Sequence, residues 1–475
     1  MRSWVLITIL LATLVALGVG DPLQTVIRVC HRRKSVAIIG GGAAGTSAAF
    51  WLHNVLPETD LTIYDDQPLL GGRSRVVPIK DNASLGWIEQ GASIFVEKNF
   101  NLMNATERFG LERVRMVDDM LKRGLGVWDG KQFLFEQSGW GWWDTVKALW
   151  RYTWAPIRFR HLLQKTLTDF FSIYEPQSPF YGVADVIKRY GWEAMVNSTA
   201  SDFLGQQGIG EQFSQEIIQT GTRANYGQDL NVLHGFAAMV SMATDGAWSV
   251  KDGNYQIFEA FAKASQASLR LNTSVQAIRN VTEINADGRF ESRYAVSADD
   301  GTEDIYDVII IASPLHGDSS LSLPFPVSDH HREYHTVHVT LVAGFPNPEY
   351  FARTADTIPS AIITTGYPLT EHFNNSTSPF TTFAVHRILD NGESVVKMFS
   401  PGRLSEDLLD QLFYNRSWIV QKPWRAFPKL YPSSEDDEWP DLILDGLGEQ
   451  ETGIIYLNAF ESFISVSPIV AEGIG

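Results

Sequence analysis

One cysteine, Cys30, stands in a chain of 475 residues, so no intramolecular disulfide can form and stability has to come from a buried core. A chain this long can bury a large one. Cys30 also precedes the first expected strand, which speaks against a catalytic thiol. Basic residues are scarce: 38 Lys and Arg against 55 Asp and Glu leave a net charge of −17, a balance that argues against nucleic acid as a partner. The sequence holds no G-x-S-x-G, no H-E-x-x-H and no paired C-x-x-C. That removes the usual signatures of serine hydrolases, zinc peptidases and cysteine metal or redox sites. His330, His331, His335 and His338 imitate a metal cluster by spacing, but residues 337–341 read as a strand and no metal is expected.

Long apolar runs are missing too, except at the start. Arg2, apolar residues 4–17 and the small residues Gly18, Val19 and Gly20 describe a secretory signal peptide over residues 1–20. An uncleaved anchor is the alternative, although the run is short of the ~20 residues a spanning helix needs. Sequons at Asn82, Asn104, Asn197, Asn272, Asn280, Asn374, Asn375 and Asn415 agree with export. The expected location is the secretory pathway, in a lysosomal or vacuolar lumen or outside the cell. Residues 28–34, RVCHRRK, are either a solvated linker or a contact for anionic lipid headgroups.

What the chain has is glycine in register. Residues 36–39 form an apolar run that stops at Gly40, Gly41 and Gly42, and good helix formers follow from Ala43 and Ala44. Gly40, Gly42 and Gly45 make G-x-G-x-x-G at a strand-to-helix junction, where a diphosphate can sit on the helix N-terminus. A second apolar run, residues 61–64, ends at Asp65, twenty residues beyond Gly45, where an acid accepts from ribose hydroxyls. A glycine loop without a ligand is the alternative for the motif alone; strand, helix and acid together favour a dinucleotide.

The following residues carry a resemblance. Gly71, Gly72 and Arg73 resemble the G-G-R segment of flavin-dependent amine oxidases, which implies FAD rather than NAD, with the arginine beside the diphosphate. Glu89 to Ser93 resembles their E-x-G-A segment, placing Gly91, Ala92 and Ser93 by the flavin ring, with Gly91 there because a side chain would collide with it. The segment T-R-A-N-Y-G-Q around Arg223 and Asn225 and the turn from Trp248 to Gly253 and Asn254, taken with G-G-R, resemble the prenylcysteine oxidase (prenylcysteine lyase) family. A helix over residues 257–267 is expected after that turn. By the same resemblance Val275 pairs its backbone with adenine, Ala312 closes over the cofactor, and Asn458 and Glu461 lie at a C-terminal helix facing the flavin. Trp424, Ala426, Phe427 and Pro428 match W-x-A-Y-P, with phenylalanine where the family has tyrosine.

The expected fold is α/β: a discontinuous Rossmann-type FAD-binding domain with an α+β substrate domain inserted. The FAD-binding parts are residues 35–99, 245–315 and 441–475; the substrate parts are a helical, aromatic-rich 100–244 and a sheet in 316–440. The chain ends at Gly475, so the last helix is expected to be short. Aromatics in residues 139–181 are helix core, a membrane-interface face or walls for a long apolar substrate. The resemblance implies oxidation of the prenylcysteine thioether by FAD with O2 and water, giving cysteine, an isoprenoid aldehyde and H2O2. Arg223 and Asn225 are candidates for the substrate carboxylate or polar contacts, a structural role being equally open. No general base for water stands out. A flavin amine oxidase and a non-catalytic flavin- or lipid-binding protein are the rivals; no obligate protein partner is expected, and peripheral membrane contact stays open.

Overall fold

Residues 36–39 become a strand buried on both faces, as a continuous apolar run requires when helices cover a parallel sheet. The computed structural model describes residues 33–91, 93–115, 123–137, 141–174, 182–243, 246–284, 288, 290–315, 320–326, 332–366, 378–433, 439–446 and 452–463. The signal peptide, Cys30, Ala92, His330, His331, Asn374 and Asn375 lie outside the described residues. The chain divides into Met1–Arg33 and Lys34–Gly475, and the described elements all belong to the second.

The first sheet has six strands in the order Ser268–Leu271, Asp60–Asp65, Ser35–Ile39, Val308–Ile311, Gly453–Tyr456 and Ile443–Gly446. Neighbours run parallel except the last pair. Helix Ala43–Val55 follows the first strand, and Ala44, Ala48 and Ala49 bury its small-residue face. A three-stranded antiparallel sheet, Val275–Ile284, Phe290–Ala298 and Glu303–Tyr306, lies between the Ser268–Leu271 and Val308–Ile311 strands in sequence.

A seven-stranded sheet forms the second body, in the order Phe413–Pro428, Tyr334–Pro346, Ser394–Ser400, Thr382–Ile388, Ala361–Thr364, Leu125–Trp128 and Phe133–Glu136. Its core is Trp128, Phe351, Phe380, Phe383, Met398 and Phe413. Helices from Gly141–Tyr152 to Gly235–Ser241 pack one core around Phe159, Phe203, Phe213 and Met239, while Phe170, Val183, Trp192 and Phe236 join the core of the six-stranded sheet.

Three differences from the sequence reading have physical causes. The stretch 100–244 is not helical throughout: Arg113–Arg115, Leu125–Trp128 and Phe133–Glu136 are strands, because these short runs complete sheets begun elsewhere in the chain. The helix expected from residue 257 to 267 is Tyr255–Ala264, since Ser268–Leu271 is already the edge strand. Leu457–Ser462 is a 3₁₀ turn rather than an α-helix, with all six residues buried.

Candidate functional site

At the carboxyl edge of the six-stranded sheet three strand ends come level. Ile39 pairs with Tyr64 on one side and Ile311 on the other, so Gly40, Asp65 and Ala312 are neighbours. Gly40 donates to Tyr64 O and Ala312 to Ile39 O, both at 2.8 Å. Gly40 has φ of 112°, and a Cβ there would stand 2.9 Å from the Ala312 carbonyl. At Gly45 a Cβ would stand 1.9 Å from Gly40 O. The turn is therefore tight and the helix rests on its own strand, leaving the first N–H groups of Ala43–Val55 free of helical partners at the sheet edge.

Gly71 N donates to Gly41 O at 2.9 Å, which lays the G-G-R segment on the glycine loop, with room for 3.6 Å between a Gly42 Cβ and Gly72 Cα. The Asp65 carboxylate accepts from Gly41 N at 2.6 Å and Gln67 N at 2.9 Å. It thus braces the loop and keeps about two of its four lone-pair sites for ribose hydroxyls. Burial raises its pKa against the pull of those two N–H groups. Thr273 N donates to Asp65 O at 3.0 Å, holding the start of the Val275 strand against the same edge.

Arg73 crosses from this loop to the C-terminal segment. It donates to Ala426 O at 2.8 Å and pairs with Glu461. Glu461 and Asn458 are both buried, and Glu461 Oε2, Asn458 Oδ1 and Ser74 Oγ have no protein partner. These orphaned polar atoms, the glycine loop and the braced acid fit a bound dinucleotide, FAD among them.

Gly91 is required by its protein neighbours before any flavin is considered, a different cause from the collision with the flavin ring expected for it. A Cβ there would first strike Arg73 O at 2.2 Å and the Trp424 ring at 2.8 Å, so protein packing already demands glycine. Beyond Gly91 lies a residue the sequence reading missed, Lys397, only 3% exposed. Its Nζ donates to Gly91 O at 2.9 Å and Ser93 Oγ at 2.5 Å. Burial drives its pKa down to about 7, while burial drives that of neighbouring Glu89 up to about 7. Glu89 accepts from Asn254 N at 2.6 Å and leaves Oε2 without a partner. The only hint of Lys397 in the sequence is a lysine inside the apolar run S-V-V-K-M-F-S.

Arg223 and Asn225 sit on helix Gln219–Tyr226. Arg223 is buried, ion-paired to Asp229 at 2.8 Å, bonded to Thr364 Oγ1 at 3.4 Å and packed under Gly366. Asn225 donates to Ser241 O at 2.8 Å. Their helix reaches the cradle through the segment at 424–428. Tyr226 meets Phe427 edge-on at 5.5 Å, and Gln228 donates to Pro428 O at 3.1 Å. Phe427 pairs with His335 in the sheet, so it is a packing residue that uses no hydroxyl.

A family model described as prenylcysteine lyase matches residues 135–472, well over half of the chain. Farnesylcysteine lyase of Arabidopsis thaliana is 27% identical over 466 residues, covering 93% of this chain and 87% of that one. Prenylcysteine oxidase 1 of Homo sapiens is 28% identical over 460 residues, covering 92% and 87%. A putrescine oxidase variant (13% identity, TM-score 0.61, 93% of this chain and 96% of that one) and cyclohexylamine oxidase from Brevibacterium oxydans (14%, 0.61, 93% and 97%) share the fold. The architecture is therefore the α/β one expected, a Rossmann-type domain joined to a substrate domain, and the chain belongs to the prenylcysteine lyase family.

Proposed function

We propose that this protein is an FAD-dependent oxidase that cleaves farnesyl- or geranylgeranylcysteine with O2 and water to free cysteine, an isoprenoid aldehyde and H2O2, in the breakdown of prenylated proteins. When bound, FAD supplies the electron-pair acceptor for oxidation beside the sulfur and returns the electrons to O2. The chain's own part is to bind, orient and handle protons. The loop at Gly40, Gly42 and Gly45 and the helix start at Ala43 and Ala44 hold the diphosphate, Asp65 the ribose, and Arg73 adds positive charge. Glu89 and Lys397 can hold or release a proton beside Gly91 and Ser93, which the addition of water calls for. The carrying observation is that the family's R-x-N-Y-G-Q segment is packed through Phe427 and Pro428 onto the Arg73 end of the cradle.

The test is peroxide release by the purified yellow protein on farnesylcysteine, polyamines and monoamines. Turnover of farnesylcysteine alone is expected. Turnover of amines alone would make it an amine oxidase; a yellow protein neither turned over nor bleached by farnesylcysteine would be a flavin- or lipid-binding protein. Arg223→Met separates the two readings of that residue. As a scaffold it is expected to cost roughly 2 kcal/mol in a urea titration by stranding Asp229. A raised KM for farnesylcysteine at native stability would instead make it a substrate contact.

The location proposed is the lumen of the secretory pathway, lysosomal, vacuolar or extracellular. The reading is supported by the exposure of Asn82, Asn104, Asn197, Asn272, Asn280 and Asn415, each open to glycosylation.

A further inference from the structure

Helices Gly141–Tyr152 and Ala155–Phe171 carry an exposed aromatic stripe that the cofactor site does not use. Trp143, Val146 and Trp150 recur three and four residues apart on one face of the first helix, and Trp154 and Ile157 continue the stripe across the turn. All five are exposed, Trp150 by 87% and Trp154 by 66%. They are not core residues left without a core, because the other face is already occupied. Tyr152, Ala155 and Phe159 are buried, and Glu216 accepts from Arg151 at 2.6 and 2.9 Å and from the Tyr152 hydroxyl at 2.9 Å.

The charge around the stripe reverses that of the molecule. Between residues 141 and 171 stand Lys147, Arg151, Arg158, Arg160 and Lys165 against Asp144 and Asp169, and with Glu216 set against Arg151 the balance is still positive, in a chain whose net charge is −17. Arg158, Arg160 and Lys165 are exposed on the second helix beside Ile157. Tryptophan with an apolar body and a polar N–H, flanked by cations, suits the headgroup layer of an anionic bilayer. A second copy of the chain fits less well, since it would set two basic faces against each other.

We propose that this helical pair docks the protein on anionic lipid bilayers, with Trp150 and Trp154 at headgroup depth and Arg160 and Lys165 on the lipid phosphates. The docking does not depend on which substrate the flavin site takes. The experiment is flotation of the full-length, FAD-loaded protein with vesicles of phosphatidylcholine alone or with about one part in three phosphatidylserine. Native protein is expected to float with the phosphatidylserine vesicles and to be released by salt. Trp150→Ala/Trp154→Ala and Arg160→Glu/Lys165→Glu are each expected to weaken binding by roughly tenfold or more, with flavin spectrum and melting temperature unchanged. Three results overturn the proposal: native protein that ignores phosphatidylserine vesicles, double variants that float as well as native, or a native dimer that the tryptophan variant makes monomeric.

Discussion

A Gly45→Ala chain is expected to purify colourless. The new methyl would stand 1.9 Å from Gly40 O, 3.1 Å from Ile38 Cγ2 and 3.2 Å from Ala312 Cβ, and two of those three belong to the strand and strand end on which the helix rests. Relief requires the helix to lift from the sheet, which moves the N–H groups meant for the diphosphate and pulls Gly40 off Tyr64 O. Overpacking of this kind costs about 1–3 kcal/mol of stability. The loss of FAD should be larger, at least about a hundredfold in affinity, because each phosphate contact depends on the loop's shape. Gly42→Ala is the control. A Cβ there meets only Gly72 Cα at 3.6 Å, an ordinary contact, so the apo chain should melt as native while the methyl occupies space kept for the diphosphate. Flavin absorbance and the apo melting temperature read the two effects separately. A yellow, fully stable Gly45→Ala chain would remove the cradle as the cofactor site.

The cradle could be read ahead of the structure because local rules act together there: an apolar run, glycines at fixed offsets and an acid at the end of the next strand. What stayed hidden depends on contacts that no local rule announces, many of them between segments more than a hundred residues apart. Gly91 looked like a position cleared for a ligand, yet Arg73 O and Trp424 fill the space first. Arg223 stood open between a substrate carboxylate and a structural role because a buried arginine and an exposed one are written alike; the fold adds Thr364 to the Asp229 six residues on. Strands Leu125–Trp128 and Phe133–Glu136 are too short to announce themselves and exist because Ala361–Thr364 offers an edge. Lys397 follows the same logic, since a strand covered on both faces buries every residue, and the alternation that would place a lysine outward no longer applies.

That lysine and Glu89 should give the protein an unusual stability profile with pH. Burial raises Glu89 from 4.5 to about 7, partly opposed by the N–H of Asn254 and the charge of Lys397. A raised folded-state pKa means stability is present below pH 4.5 and lost as pH rises to about 7, on the order of 3 kcal/mol in all. Burial lowers Lys397 from 10.5 to about 7, so its contribution is present at high pH and lost as pH falls to about 7. His386, beside Lys397, is held down to about 3 by burial and stays neutral throughout this window. The pair therefore destabilises the fold most near neutrality and less on either side. Lys397→Met removes the charge that helps Glu89 ionise, so the carboxyl stays protonated above pH 7. Between pH 7 and 9 Lys397 makes native stability rise, whereas the Lys397→Met chain is expected to lack that rise and to go on losing stability until its Glu89 has ionised. Urea titrations of both chains at matched FAD loading across this range decide the matter, since bound cofactor adds its own stabilisation. Parallel pH profiles would mean that Glu89 and Lys397 do not titrate as a pair, and the proton-holding role beside Gly91 would fall with them.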